Sequence, residues 1–303
     1  MSNKDRKAID ARIKALLQSR KNLPNYGNIN PLSKVSNANN KKIIKTQPRM
    51  VVKHVAHVKE NVLIPRRVSK FAGSMGTYKH SGDIGDLIYS LPIIKYLGKG
   101  DLFLSIQGLQ SKKPDGSHSG FTENLLRLLI PLLQSQSYIN SVEVWNRQPV
   151  MVDLDYFRTG PCGILNLCEK MLYSYGVPKT EIQVPWIICQ PKKIAKHVFA
   201  RSFRYRNDLI DYEPLLSKCG SDCVFLGLPE EHEDFENRFG KINFYKVRDF
   251  LEMAEIINGS ECFYGNQSSP MALAIAMNKS FVQECFVPHA DCVFNRNNAR
   301  YYR

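Results

Sequence analysis

Three short stretches carry the residue types that chemistry needs. The first, His80-Ser81-Gly82-Asp83-Ile84-Gly85-Asp86, sets two carboxylates and two glycines directly ahead of an apolar run from Leu87 to Leu97. Glycine in such a turn lets the backbone come close to a ligand, and the helix that follows aims free N–H groups at an anion. Asp83 or Asp86 is then placed to take a proton; the structural alternative is that either one caps the helix. The second stretch, Gly265-Asn266-Gln267-Ser268-Ser269-Pro270, closes a strand and opens a helix. Ser269 is the expected cap and Pro270 the first helical residue, so N–H groups suited to a diphosphate would face outward at the carboxyl end of a strand. The third, Arg201 to Asn207, brings Arg201, Arg204 and Arg206 behind another strand, where guanidinium groups clamp phosphates; the alternative is a solvated basic loop.

Two further stretches have weaker patterns. Asp153-Leu154-Asp155 has the letters of a metal-binding Asp-x-Asp, and its expected role is structural. Glu230-Glu231-His232-Glu233-Asp234 follows a strand ending at Gly227-Leu228-Pro229, and one acid of the group could accept ribose hydroxyls.

The elements that must position these residues follow from the hydrophobic pattern. From residue 72 onward apolar runs of strand length alternate with amphipathic runs of helix length. Strands are expected at 101–108, 141–146, 184–189, 196–203, 222–229, 261–266 and 280–286, and helices at 121–136, 166–177, 211–219, 247–260 and 269–278. Such alternation implies α/β architecture with parallel sheets covered by helices on both faces. The number of units suits two doubly wound lobes, residues 72–190 and 191–303, divided near Gln190-Pro191-Lys192-Lys193.

Residues 1–71 form a basic extension, expected to be partly disordered. Residues 1–70 hold 17 Lys or Arg against 3 Asp or Glu, which accounts for the whole net charge of +14, because the rest has 25 of each sign. Residues 4–18 have the spacing of a short amphipathic helix, and residues 50–64 a β-branched run of strand type. A neutral body with a basic arm predicts either contact with a polyanion such as nucleic acid or a solvated tail. The first requirement of the nucleic-acid reading is salt-dependent binding of residues 1–70 to DNA. No zinc-finger, helix-turn-helix or RNA-recognition signature accompanies the arm. No apolar run approaches the ~18 residues of a membrane span, and the charged first residues argue against a secretory leader, so a cytoplasmic location is expected. The eight cysteines form no Cys-x-x-Cys pair and read as small buried residues.

Taken together, the motifs resemble the ADP-heptose:lipopolysaccharide heptosyltransferase family. GDIGDLIYSLPII is similar to that family's GD-rich turn and the Leu-Pro helix after it, and GNQSSPMALA resembles its GNDSGPMHLA signature. FLGLPEEHE and DFLEMAEIINGSECFYGN stand between them in the family's order, and the resemblance covers roughly residues 74–286. It implies a GT-B glycosyltransferase fold of two Rossmann-like lobes, the acceptor on the first and the nucleotide-sugar on the second. It implies no metal and no resident cofactor, the nucleotide-sugar being a co-substrate. Asp86, backed by Asp83, would be the base, with His80, Gly82 and Gly85 forming the acceptor turn. Arg201, Arg204 and Arg206, together with Asn266, Gln267, Ser268 and Ser269, would hold the donor diphosphate. Glu231 would contact the ribose, and Glu284 is a further pocket residue. Gln267, Ser269 and Ala272 replace the family's Asp, Gly and His, which speaks against a heptose donor and a lipopolysaccharide acceptor. A hydroxyl on a modified nucleic-acid base or on a protein is the acceptor the basic arm brings to mind. The function expected is metal-independent transfer of a sugar to an acceptor hydroxyl. The alternative is a decayed GT-B scaffold acting as a structural or binding protein.

Overall fold

The computed structural model describes residues 68–71, 73–106, 120–159, 166–294 and 296–302. The basic extension up to residue 67, with the helix expected at 4–18 and the strand expected at 50–64, lies outside the described residues. The remainder forms two wholly parallel sheets. In the first, β1 (Gly76–His80), β2 (Gly100–Leu104), β3 (Ile139–Val144) and β4 (Val152–Asp153) lie in the order β3-β2-β1-β4. In the second, β5 (His197–Ala200), β6 (Cys223–Phe225), β7 (Asn243–Phe244), β8 (Cys262–Gly265), β9 (Phe281–Glu284) and β10 (Ala299–Tyr302) lie in the order β10-β9-β8-β5-β6-β7. This is the arrangement expected of a GT-B fold.

Both sheets run outward over their first three strands and then return to pair the fourth beside the first. Each therefore has a switch point, β1/β4 and β5/β8, where the loops leaving two neighbouring strands diverge and open a crevice. The strands are short, and β5, β6, β8 and β9 in the second sheet are buried almost throughout because helices cover both faces.

Among the described residues seven α-helices do the covering: α1 (Ile84–Leu97), α2 (Glu123–Gln134), α3 (Leu167–Ser174), α4 (Glu213–Cys219), α5 (Pro229–Phe239), α6 (Phe250–Gly259) and α7 (Ser269–Ala276). Three of them start on a side-chain cap. Thr122 accepts from Leu125 N at 3.2 Å, Asp249 from Glu252 N at 2.8 Å and Asn166 from Glu169 N at 2.9 Å, with Glu169 closing the last into a capping box; each cap adds about 1 kcal/mol.

The lobes share an apolar core. Helix α1 packs on α7 and α2 on α6, and the rings of Tyr89 and Phe294 meet at 4.9 Å. Pro92 in α1 brings no N–H to the helix, so the carbonyl of Ile88, four residues earlier, lacks its usual partner. The indole of Trp186 supplies one at 2.9 Å. Trp186 is fully buried in the connecting segment, where the sequence predicts a strand over 184–189. That expectation fails because the segment's backbone groups are taken by helices. Trp186 N and Ile187 N donate to Ala276 O at 3.0 and 3.4 Å, and Ile188 N donates to Gln136 Oε1 at 2.9 Å. A second apolar cluster, built on Phe199, Phe225, Phe235 and Phe239, fills the far face of the six-stranded sheet.

Candidate functional site

The loops at both switch points face one interlobe cleft of about 1120 Å³. The N-terminal lobe contributes the turn after β1 and the 3-10 helix after β4 (Leu154–Thr159); the C-terminal lobe contributes the loops after β5, β6, β7, β8 and β9.

Asp86 sits in the first turn of α1, and its carboxylate pairs with Arg158 Nη2 at 2.8 Å. Burial pushes its carboxyl up to about 6, against the pull of Arg158 in the other direction. Asp83 is the N-cap of α1 by position, but its side chain caps nothing. It reaches across the cleft to Arg204 Nη2 at 3.4 Å. His80 ends β1 fully buried. Its Nδ1 accepts from Gly82 N at 3.0 Å, and burial lowers its pKa to about 4, so the ring is neutral at pH 7.

The two glycines of the turn differ. A Cβ on Gly82 would lie 1.9 Å from Arg158 Nη2, so Gly82 is what lets that guanidinium reach Asp86. A Cβ on Gly85 would meet nothing within 4 Å, and Gly85 lines the cleft. Gly85→Ala is therefore expected to raise Tm by a few degrees, because alanine is better than glycine in a helix by about 1 kcal/mol, while weakening any ligand that fills the space. Gly82→Ala is expected to lower Tm, because its Cβ would also crowd the buried His80 ring at 2.9 Å, and to lower activity by displacing Arg158. Thermal unfolding and an activity assay on the two variants check this pair of outcomes.

Asp155 is structural. It accepts from Ser81 N and Oγ at 3.2 and 2.5 Å and pairs with Lys79 at 2.9 Å, and these positive and donor groups hold its carboxyl down to about 2 despite burial. Asp153 pairs with Lys79 at 3.3 Å. The Asp-x-Asp letters thus pin the loop after β4 against β1, which places Arg158.

On the C-terminal lobe the expected donor residues divide. Arg204, Ser268, Ser269, Gln267 and Glu231 line the cleft. Arg201 and Glu284 do not. Arg201 is 1% exposed, and its Nε and Nη2 donate to Glu284 Oε2 and Oε1 at 2.7 and 3.0 Å. Glu284 also accepts from Asn207 N and from Tyr212 OH. The expectation that Arg201 and Glu284 touch the donor is corrected accordingly, since a phosphate would have to break a buried ion pair. Arg206 also points away from the cleft, with Nη1 on Asp234 at 2.8 Å and Nε on Ser202 O at 3.0 Å. Asn266 is fully buried and ties down the loop after β5, its Oδ1 accepting from Ser202 N and its Nδ2 donating to the carbonyls of Ser202 and Arg204. These four residues position Arg204. Gln267 does the same for the segment after β9, donating to His289 O and accepting from Phe286 N at 2.6 Å.

Helix α7 begins at Ser269 with Ser268 as its cap position and Pro270 second, one residue earlier than the sequence predicts. The Ser268 hydroxyl donates back to Asn266 O at 3.2 Å and caps no N–H. The first-turn N–H groups are thus left to an incoming anion. Glu231 stands in the first turn of α5, a helix that the sequence reading does not include and that begins at Pro229, where that reading ends a strand. Its Oε2 accepts from Leu228 N at 3.0 Å, and burial raises its carboxyl. Gly227 beside it adopts φ +151°, and a Cβ there would lie 2.8 Å from that oxygen.

Arg158, Thr122, Lys170, Lys246 and His289 also line the cleft and are not among the sequence-derived candidates. Arg158 and Lys246 follow β4 and β7, strands of only two residues each, too short to read as strands. A count of basic residues behind every apolar pair was the signal that could have found them.

No known protein-family model matches the chain, and no curated protein matches it in sequence. Solved structures do resemble it. The iron-containing dodecameric glycosyltransferase TibC from enterotoxigenic E. coli aligns with a TM-score of 0.49 at 12% identity, over 79% of this chain and 64% of that one. E. coli heptosyltransferase WaaC with ADP aligns at 0.48 and 11%, over 75% and 92%. E. coli ADP-heptose LPS heptosyltransferase II aligns at 0.45 and 11%, over 76% and 90%. The chain thus spans about two thirds of TibC's length. No helix among the described residues is long and apolar enough to cross a membrane.

Proposed function

We propose that the protein transfers a sugar from a nucleotide-sugar to an acceptor hydroxyl. The observation that carries this reading is an interlobe cleft lined on one side by Asp86, and on the other by Arg204 and the open N-terminus of α7. Asp86 takes the proton as the acceptor oxygen bonds to the anomeric carbon. The bond from that carbon to the diphosphate breaks, and its electron pair leaves with the nucleoside diphosphate. Arg204 and the α7 N–H groups stabilise the charge that develops there. Glu231, which lines the same cleft, would accept the ribose hydroxyls. The residues described here need no metal or resident cofactor for these roles, the nucleotide-sugar being consumed as co-substrate.

The test is calorimetry with UDP-, GDP-, ADP- and CDP-sugars. One of them is expected to bind at micromolar Kd. Arg204→Ala should weaken it about 10- to 100-fold, the range for a hydrogen bond to a charged group. Arg206→Ala should act mainly on stability, through Asp234. If the folded protein binds no donor, the scaffold reading replaces this one.

A further inference from the structure

Two observations meet at Arg204. The first is that its ion pair with Asp83 spans the cleft from one lobe to the other, at 3.4 Å, with the two side chains 37% and 29% exposed. The second is the conformation of the next residue. Tyr205 has φ +52°, a left-handed backbone that costs a bulky residue about 1–3 kcal/mol and persists only where its surroundings hold it. They do: its ring packs on His289 at 4.9 Å and Phe286 at 5.8 Å, the Arg204 guanidinium lies over it at 4.9 Å, and its hydroxyl accepts from Arg204 Nη2 at 3.2 Å. The strained residue therefore carries Arg204 to the middle of the cleft and supports it there.

The lobes themselves are poorly suited to opening. Their shared apolar core and the Trp186 segment join α1, α2 and α7, and a large hydrophobic interface opposes hinge motion.

We propose that Asp83 is a positioning residue that holds Arg204 across the cleft in the empty protein and yields it to the diphosphate of the entering donor. This rests on the donor reading of Arg204. No covalent bond changes; the guanidinium exchanges one oxyanion for another, and phosphate oxygens match its fork as well as a carboxylate does. The Asp83–Arg204 contact at 3.4 Å, about one-third open to solvent, is weak enough to be displaced.

The test uses the full chain and titrates inorganic pyrophosphate, UDP, GDP, ADP and CDP into wild type, Asp83→Asn, Arg204→Ala and the double variant, with thermal unfolding as the check that each is folded. Asp83→Ser repeats the cycle should Asp83→Asn unfold. Asp83→Asn is expected to bind the preferred probe about two- to fivefold tighter, the range of a partly exposed ion pair removed as competitor. With Arg204 already absent, the same change should have no effect. Equal tightening in both backgrounds would make Asp83 a mere repelling charge and overturn the proposal, as would unchanged or weaker binding by Asp83→Asn. Failure of wild type to bind any probe would instead sink the donor reading, and this proposal with it.

Discussion

Asp86→Asn is expected to lower the transfer rate by about 10²- to 10⁴-fold, the usual contribution of a positioned general base, while leaving donor affinity near that of wild type. The pH dependence gives an independent check. The base must be ionised, and burial has raised its carboxyl to about 6, so activity should fall as pH drops through about 6 instead of near 4. The sign for stability is the opposite. A carboxyl whose folded pKa exceeds its unfolded value stabilises the fold while protonated, and that contribution is lost as pH rises through 6. At pH 8 the Asn variant should therefore unfold no earlier than wild type, even though it is inactive. Arg158 moderates the effect by pairing with the carboxylate at 2.8 Å. Measured rates between pH 4.5 and 8.5 that show no acid limb near 6, or an Asn variant with near-normal turnover, would remove Asp86 from the role.

The largest stability effect is expected at Glu284→Ala. The change strands the Arg201 guanidinium, 1% exposed, without its carboxylate, and takes the acceptor from Asn207 N and Tyr212 OH. Breaking a buried pair from one side costs about 3–5 kcal/mol, a fall in Tm of roughly 10 °C or more. Arg201→Met with Glu284→Leu should recover much of that loss, because replacing both partners by apolar groups leaves no unpaired charge. The recovered variant should still bind donor poorly, since the pair anchors the loop that carries Arg204. A Tm for Glu284→Ala equal to wild type would show that the ion pair does not hold the loop.

Much of the site is legible along the chain because local rules govern its parts. The glycine-flanked acids of residues 82–86, the helix start near Ser268 and Ser269, and the arginines behind β5 can each be picked out by spacing, while their roles come from the family resemblance. The alternation of strands and helices is equally legible, and the two parallel sheets reproduce it. What local rules leave open is direction. Arg201, Arg204 and Arg206 are equivalent as letters, yet one is buried on Glu284, one crosses the cleft to Asp83 and one turns outward to Asp234. Asn266 and Gln267 look like ligand contacts in the sequence and in space hold neighbouring loops.

The sequence by itself determined the fold class, the turn that bears Asp86 and, to within one residue, the start of the helix at Ser269-Pro270, since each depends on residues within a few positions of one another. Only the tertiary structure decided which charges face the cleft. Arg158 lies 72 residues from Asp86 and Arg204 lies 121 residues from Asp83. Such pairings are set by where two sheets change direction and by which carboxylate reaches a guanidinium first, and no local pattern in the chain encodes either.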